Sequence, residues 1–291
     1  MKSCIHTFCL FLTFLLPHQF ALSQVDEVDG PHFFTAMKTT ANSIQRFYFI
    51  PGANYYGKQA PNIFNITLCS YLEGLLGNDF KIIDEPLSKL PLANVGWALL
   101  HGQQPVRHPD KNRKVRLAFN RIIDDTTDQT DQITIISSSF GSVLASQLAI
   151  KLALHYESET LQPEINLIFG ASMVNKDSAL FQELKKLQQK ELINYIVYDE
   201  LQDPGDNVTG MCGKSMLQAF SNAFRMTCVF GGNYLGQPSI LNNHPYKGHI
   251  HWQRTQSMDK GKEFVRVILI DYELAGPQVK ERALEVLSPD R

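Results

Sequence analysis

Ile133-Thr134-Ile135-Ile136-Ser137-Ser138-Ser139-Phe140-Gly141 is the stretch on which the reading of this chain turns. Its first four residues are all β-branched and mostly apolar, the composition of a buried strand. Beyond Gly141, Val143, Leu144, Leu148 and Leu152 recur at helical spacing and predict a helix over 141–156. Strand and helix therefore meet at a run of small residues. A sharp strand-to-helix turn lifts the Oγ of a central serine above the sheet edge, and its neighbours must be small because the two backbones nearly touch. The start of the helix aims its N–H groups at any oxyanion formed there. The competing reading is a helix cap, with Ser138 or Ser139 as N-cap. Ser142 would sit inside the helix and is the weaker nucleophile candidate.

Working outward, apolar segments bounded by turn residues alternate with segments of helical period. Arg46–Ile50 reads as an aromatic strand ended by Pro51-Gly52, residues 59–76 as a helix ended by Gly77, and Phe80–Ile83 as a second strand. Residues 85–109, with their Pro and His residues, read as an irregular segment long enough to be a candidate lid or pocket wall. A helix is expected over 111–125, with Val115, Leu117, Ile122 and Ile123 inward and Lys111-Asn112-Arg113-Lys114 as its solvated start. After the central strand and helix come a strand at 165–169, a helix at 178–190, a strand at 193–198, a helix near 214–225 and a strand at 227–230. Val265–Ile270 suits strand or buried helix, and the chain ends in an amphipathic helix. This alternation predicts an α/β fold, a mainly parallel sheet sandwiched by helices. The aromatics Phe47, Tyr48, Phe49, Phe169 and Phe230 occupy strand positions and are expected in the core.

Bulk properties narrow the function classes. Lys2, the apolar run Cys9–Pro17 and Ala21-Leu22-Ser23 have the order of a secretory signal peptide with cleavage after Ser23. The apolar run is shorter than the about 20 residues that span a bilayer, so the chain is expected to be secreted or periplasmic. Residues 24–291 are then expected to form a single domain without a membrane span. A formal charge of −2 is unlike a nucleic-acid-binding surface. Of five cysteines, Cys69, Cys212 and Cys228 remain after cleavage. They lack the paired spacing of a zinc site, and they suit either one disulfide, Cys212 to Cys228, or buried thiols. The acceptor patterns at Asn65 and Asn207 are too short to carry weight.

The junction at 137–141 resembles the nucleophile elbow of the α/β-hydrolase superfamily, G-x-S-x-G, with Ser137 in place of the first glycine and Gly141 as the second. The resemblance extends in element order over about residues 44–260. It implies a three-layer hydrolase fold with Ser139 as nucleophile, followed by an acid and then a histidine on loops at successive strand ends. The loop after 193–198 offers Asp203 and Asp206 as the acid, with Asp206 favoured because an apolar residue follows closely; Asp199 is too near the strand. The loop after 227–230 offers His249 as the base, with His251 and His244 as alternates. The oxyanion hole would combine the Phe140 N–H with that of Ala53 or Asn54 in the turn after Pro51-Gly52.

Each piece has a plainer counterpart. The D-P-G-D run suits Asx turns, and His249 with His251 has a ligand-like spacing but no third ligand cluster. His101-Gly102 follows no strand, and Gly231-Gly232 lacks the glycine and helix of a dinucleotide fingerprint. The conjunction predicts a serine hydrolase acting on a carboxylic ester or lipid-like acyl substrate, with no cofactor or metal. Two alternatives are a non-catalytic protein of the same fold that binds a ligand and a two-lobed periplasmic binding protein.

Overall fold

The central strand is β3 (Thr130–Ser138), buried from Gln132 to Ser138, as an inner strand covered on both faces must be. β1 (Ile44–Ile50) pairs with it on one side and β4 (Glu164–Gly170) on the other. β2 (Phe80–Ile82) lies outside β1, and β5 (Tyr195–Asp199) outside β4. Every pairing is parallel, and the strand order is β2-β1-β3-β4-β5. The protein is thus of the α/β class, here seen in a computed structural model that describes residues 44–52, 63–160, 162–170, 172–199 and 277–287, with single positions 210, 212, 217, 265, 266 and 269.

Register explains the core. Tyr48, Ile135, Leu167 and Ile196 form one row across the sheet, and Ile50, Ser137, Phe169 and Tyr198 the next on the same face. This face packs against α4 (Phe140–Tyr156), the helix that follows β3. α4 is apolar on all sides and almost wholly buried over its first fourteen residues, which marks it as a central helix rather than a surface one. Around it lie α2 (Pro91–His101), α3 (Arg113–Ile123) and α5 (Ala179–Gln189). Rows on the other face, with Phe47, Phe49, Ile136 and Ile168, are buried too. α1 (Ile63–Leu76) contacts β2 and α6 (Pro277–Leu287). Phe47, Tyr48, Phe49 and Phe169 are core residues, each at most 1% exposed.

Three expectations change. Residues 85–109 are not irregular throughout, because Pro91–His101 is helical with proline in its first turn. No side chain caps this helix at Leu90; instead the Asn94 amide exchanges hydrogen bonds with the backbone of Ser88, at 2.8 and 2.9 Å, and holds the incoming chain. In α3 the fully buried positions are Val115, Ala118 and Ile122, while Leu117 and Ile123 are half-buried. Asn112 caps α3 by accepting from Val115 N–H, and Lys114 folds back to Pro86 O and Asn94 Oδ1, so it is not a solvated residue. Val265 and Arg266 are helical, which settles the strand-or-helix choice at those positions. Among the described residues no helix is long and apolar enough to cross a membrane.

Candidate active site

In an open parallel sheet, a crevice forms where two adjacent strands send their connections in opposite directions, outside the carboxyl ends of the strands. Here β1 connects outward to β2, and β3 outward to β4, so the topological switch point falls between β1 and β3. The residues at that point are Ile50-Pro51-Gly52 and Ser137-Ser138-Ser139, with Ile50 and Ser137 as register partners. Strand order, with no reference to motif, places the serine run at one side of that switch point and Pro51-Gly52 at the other.

Ser139 has φ 49° and ψ −122°, a conformation that L residues adopt only under constraint, at about 1–3 kcal/mol. It occupies the N-cap position of α4, yet its side chain makes no capping hydrogen bond and its backbone is not the extended form that N-caps use. The helix-cap reading therefore fails in its usual form. Ser139 is partly exposed, whereas Ser137 and Ser138 are buried, and the Ser137 hydroxyl donates to Ile168 O at 3.3 Å.

What bends the backbone here is packing from three sides. A Cβ on Gly141 would stand 2.1 Å from Ile50 O and 2.8 Å from Pro51 O, so the helix start presses directly on the end of β1 and only glycine fits. Ser139 N–H donates to Gly170 O at 3.2 Å, tying the turn to β4. The Ser142 hydroxyl donates to Ser139 O at 2.6 Å and accepts from Met173 N–H at 3.0 Å. With both its hydrogen-bonding directions used and no exposure, Ser142 is excluded as an alternative nucleophile.

The wall beside the turn is α2 and the loop after it. Trp97 meets Phe140 edge-on at 5.8 Å between ring centroids and His101 at 4.7 Å. Burial pushes the His101 imidazole below its ordinary pKa and favours the neutral ring. The loop is fastened by the buried Gln147 of α4, whose amide donates to His101 O and Gln104 O and accepts from Val106 N–H, at 2.7 to 2.8 Å.

β5 ends at Asp199, which pairs with Gly170 as the last strand residue, and the described backbone bonds beyond it are at Gly210 and Cys212. Gly210 N–H donates to Ser172 O at 2.7 Å, and Cys212 N–H to Met173 O at 2.9 Å. The ends of segment 200–209 are thus held at the carboxyl side of β4 and β5. Cys212 carries a free, fully buried thiol that reaches Ala98 O and packs against Gly102; burial pushes its pKa up to about 12. Of the two readings left open for the cysteines, the buried thiol is the one found at Cys212.

Asp203, Asp206, His244, His249, His251, Ala53, Asn54 and Cys228 lie outside the described residues, as does the 1–23 segment. Among the described residues no three His, Cys, Asp or Glu side chains are grouped to hold a metal ion. Two open clefts of about 370 and 430 Å³ share Tyr156 and Pro163 and reach Glu164 and Thr130, the first residues of β4 and β3. They mark the amino edge of the sheet, away from the serine turn. Sequence reasoning overlooked the bracing by Ser142 and the fastening by Gln147. The available signal was polar residues within an otherwise apolar helix, which must find partners when buried.

The chain matches no protein-family model, no characterised protein and no solved structure.

Proposed function

We propose that the protein is a secreted serine hydrolase of α/β-hydrolase type, with Ser139 as its nucleophile. The observation that carries this reading is the φ 49°, ψ −122° turn at Ser139, set between β3 and the amino end of α4 at the switch point of the sheet. A strained turn of this kind is what raises a nucleophilic hydroxyl above a sheet edge. Right-handed crossovers support the three-layer arrangement, since the β1–β2 connection and those after β3 run in opposite directions and so fall on opposite faces.

In this mechanism Ser139 Oγ attacks an ester or thioester carbonyl while His249 takes its proton. Asp206, or Asp203, holds the imidazole in the tautomer that accepts at the serine and stabilises the imidazolium. The oxyanion is met by Phe140 N–H, backed by the positive end of α4, and by an N–H from Ala53 or Asn54. His249 then returns the proton to the leaving group, and water hydrolyses the acyl-enzyme. Beside the turn, the Trp97 ring of α2 stands against Phe140, an apolar neighbour compatible with an acyl chain.

A fluorophosphonate probe tests the reading. The folded protein is expected to be labelled covalently, and Ser139→Ala to lose labelling without unfolding. His249→Ala and His251→Ala, then Asp203→Asn and Asp206→Asn, assign the partners by which member of each pair abolishes the reaction. No labelling of folded wild type would sink the proposal and favour a non-catalytic binding protein of the same fold.

A further inference from the structure

We propose that Ser142 is a positioning residue that aims the Phe140 N–H into the oxyanion site, an inference that rests on the hydrolase reading above. The Ser139 carbonyl accepts two hydrogen bonds from Ser142, one from its backbone N–H at 3.1 Å and one from its hydroxyl at 2.6 Å. Both lie on the helix side of the turn. A trans peptide is planar, and its C=O and N–H point in opposite directions. Holding the Ser139 carbonyl against the helix therefore drives the N–H of the same peptide unit, that of Phe140, outward toward the crevice. The hydroxyl acts on the one peptide plane whose orientation decides the oxyanion donor, and it fixes the unusual ψ of Ser139.

The second half of the Ser142 contact sets where that plane sits. Its oxygen accepts from Met173 N–H at 3.0 Å, in the loop after β4. Met173 O and Ser172 O in turn accept from Cys212 N–H and Gly210 N–H, which follow in sequence the candidate acids Asp203 and Asp206. One buried hydroxyl thus ties the serine turn to the loop after β4 that also holds Gly210 and Cys212. Ser146, one turn further along α4, is equally buried, but its hydroxyl donates to Ser142 O at 2.7 Å, a back-bond within the helix. It provides the comparison for a hydroxyl with structural work alone.

The test is the kinetics of fluorophosphonate labelling of the purified protein, separated into the rate at saturation and the half-saturating concentration. Ser142→Ala is expected to lower the saturated rate about 10- to 100-fold, the scale of a small misplacement of reacting groups. The half-saturating concentration should stay unchanged, because the binding walls are not touched. Ser146→Ala should leave the rate within about threefold of wild type whatever it does to stability, since it moves no reacting group. If Ser142→Ala does not fold, Ser142→Cys keeps the shape with a weaker donor, and a rate between those of wild type and Ser139→Ala is expected. A wild-type rate in the folded Ser142 variant, or an equal loss in Ser146→Ala, overturns the inference while leaving the hydrolase reading intact. Failure of folded wild type to label at all overturns both.

Discussion

A serine held at φ 49° works against its own backbone preference, and the residues that hold it there are as informative as the serine. Glycine tolerates this conformation and alanine does not. Ser139→Gly is therefore expected to be more stable than Ser139→Ala by about 1 kcal/mol, seen as a melting point about 2–4 °C higher. Equal melting points would mean that the turn is unstrained. Gly141 is the opposite case, since an added Cβ would strike the backbone of Ile50 rather than a side chain that could move. Gly141→Ala is expected to lose about 1–3 kcal/mol or more in denaturant titration, the range of steric intrusion into a packed site; a loss below about 0.5 kcal/mol, ordinary for surface changes, would contradict the packing described. The need for small residues at this junction was legible in the sequence. Which of them is indispensable was not: Ser137 is simply buried and bonded to Ile168 O, while Gly141 bears the close approach.

At the scale of elements, the central strand and α4 were readable because burial on both sides leaves long apolar runs with clear periods. α2 was not readable. Its sequence contains Pro91, Asn94 and Gly96 and lacks a capping side chain, so its helix depends on the Asn94–Ser88 bonds and on packing against α4. Gln147 extends that dependence to the following loop. Gln147→Ala is expected to cost about 1–3 kcal/mol, because the backbone groups of His101, Gln104 and Val106 lose their partner and the space left in the buried end of the side chain is not refilled. Hydrogen exchange at Val106 should accelerate more than exchange in β3. If Val106 stays protected, the loop is held by something other than Gln147.

For the molecule as a whole, the strand order did more to locate the site than any motif, and strand order is what periodicity cannot reveal. Hydrophobic patterns say that a strand is buried but not which strand lies beside it. Titration also belongs to this scale. Tyr48 is fully buried and donates to Asp125 Oδ2 at 2.9 Å, a carboxylate shared with Lys81. Burial raises its pKa well above the ordinary phenol value, against the opposing effect of Arg46. The native state then keeps the proton longer than the unfolded chain, so the stability that this group contributes is present below about pH 10 and lost as the pH climbs further. Tyr48→Phe should lose about 1 kcal/mol at neutral pH but show a shallower alkaline decline. Identical slopes from pH 9 to 11 would remove Tyr48 from the account.

The docked Cys212 also gives the protein a clock. Its thiol is sealed beneath Ala98 and Gly102 and, with its pKa near 12, remains unreactive until its segment detaches. In a variant with Cys212 as its sole cysteine, the rate of alkylation at neutral pH would therefore report how often that attachment opens. Comparison with the global unfolding rate would show whether the attachment at Gly210 and Cys212 opens independently of the sheet or only when the whole sheet comes apart.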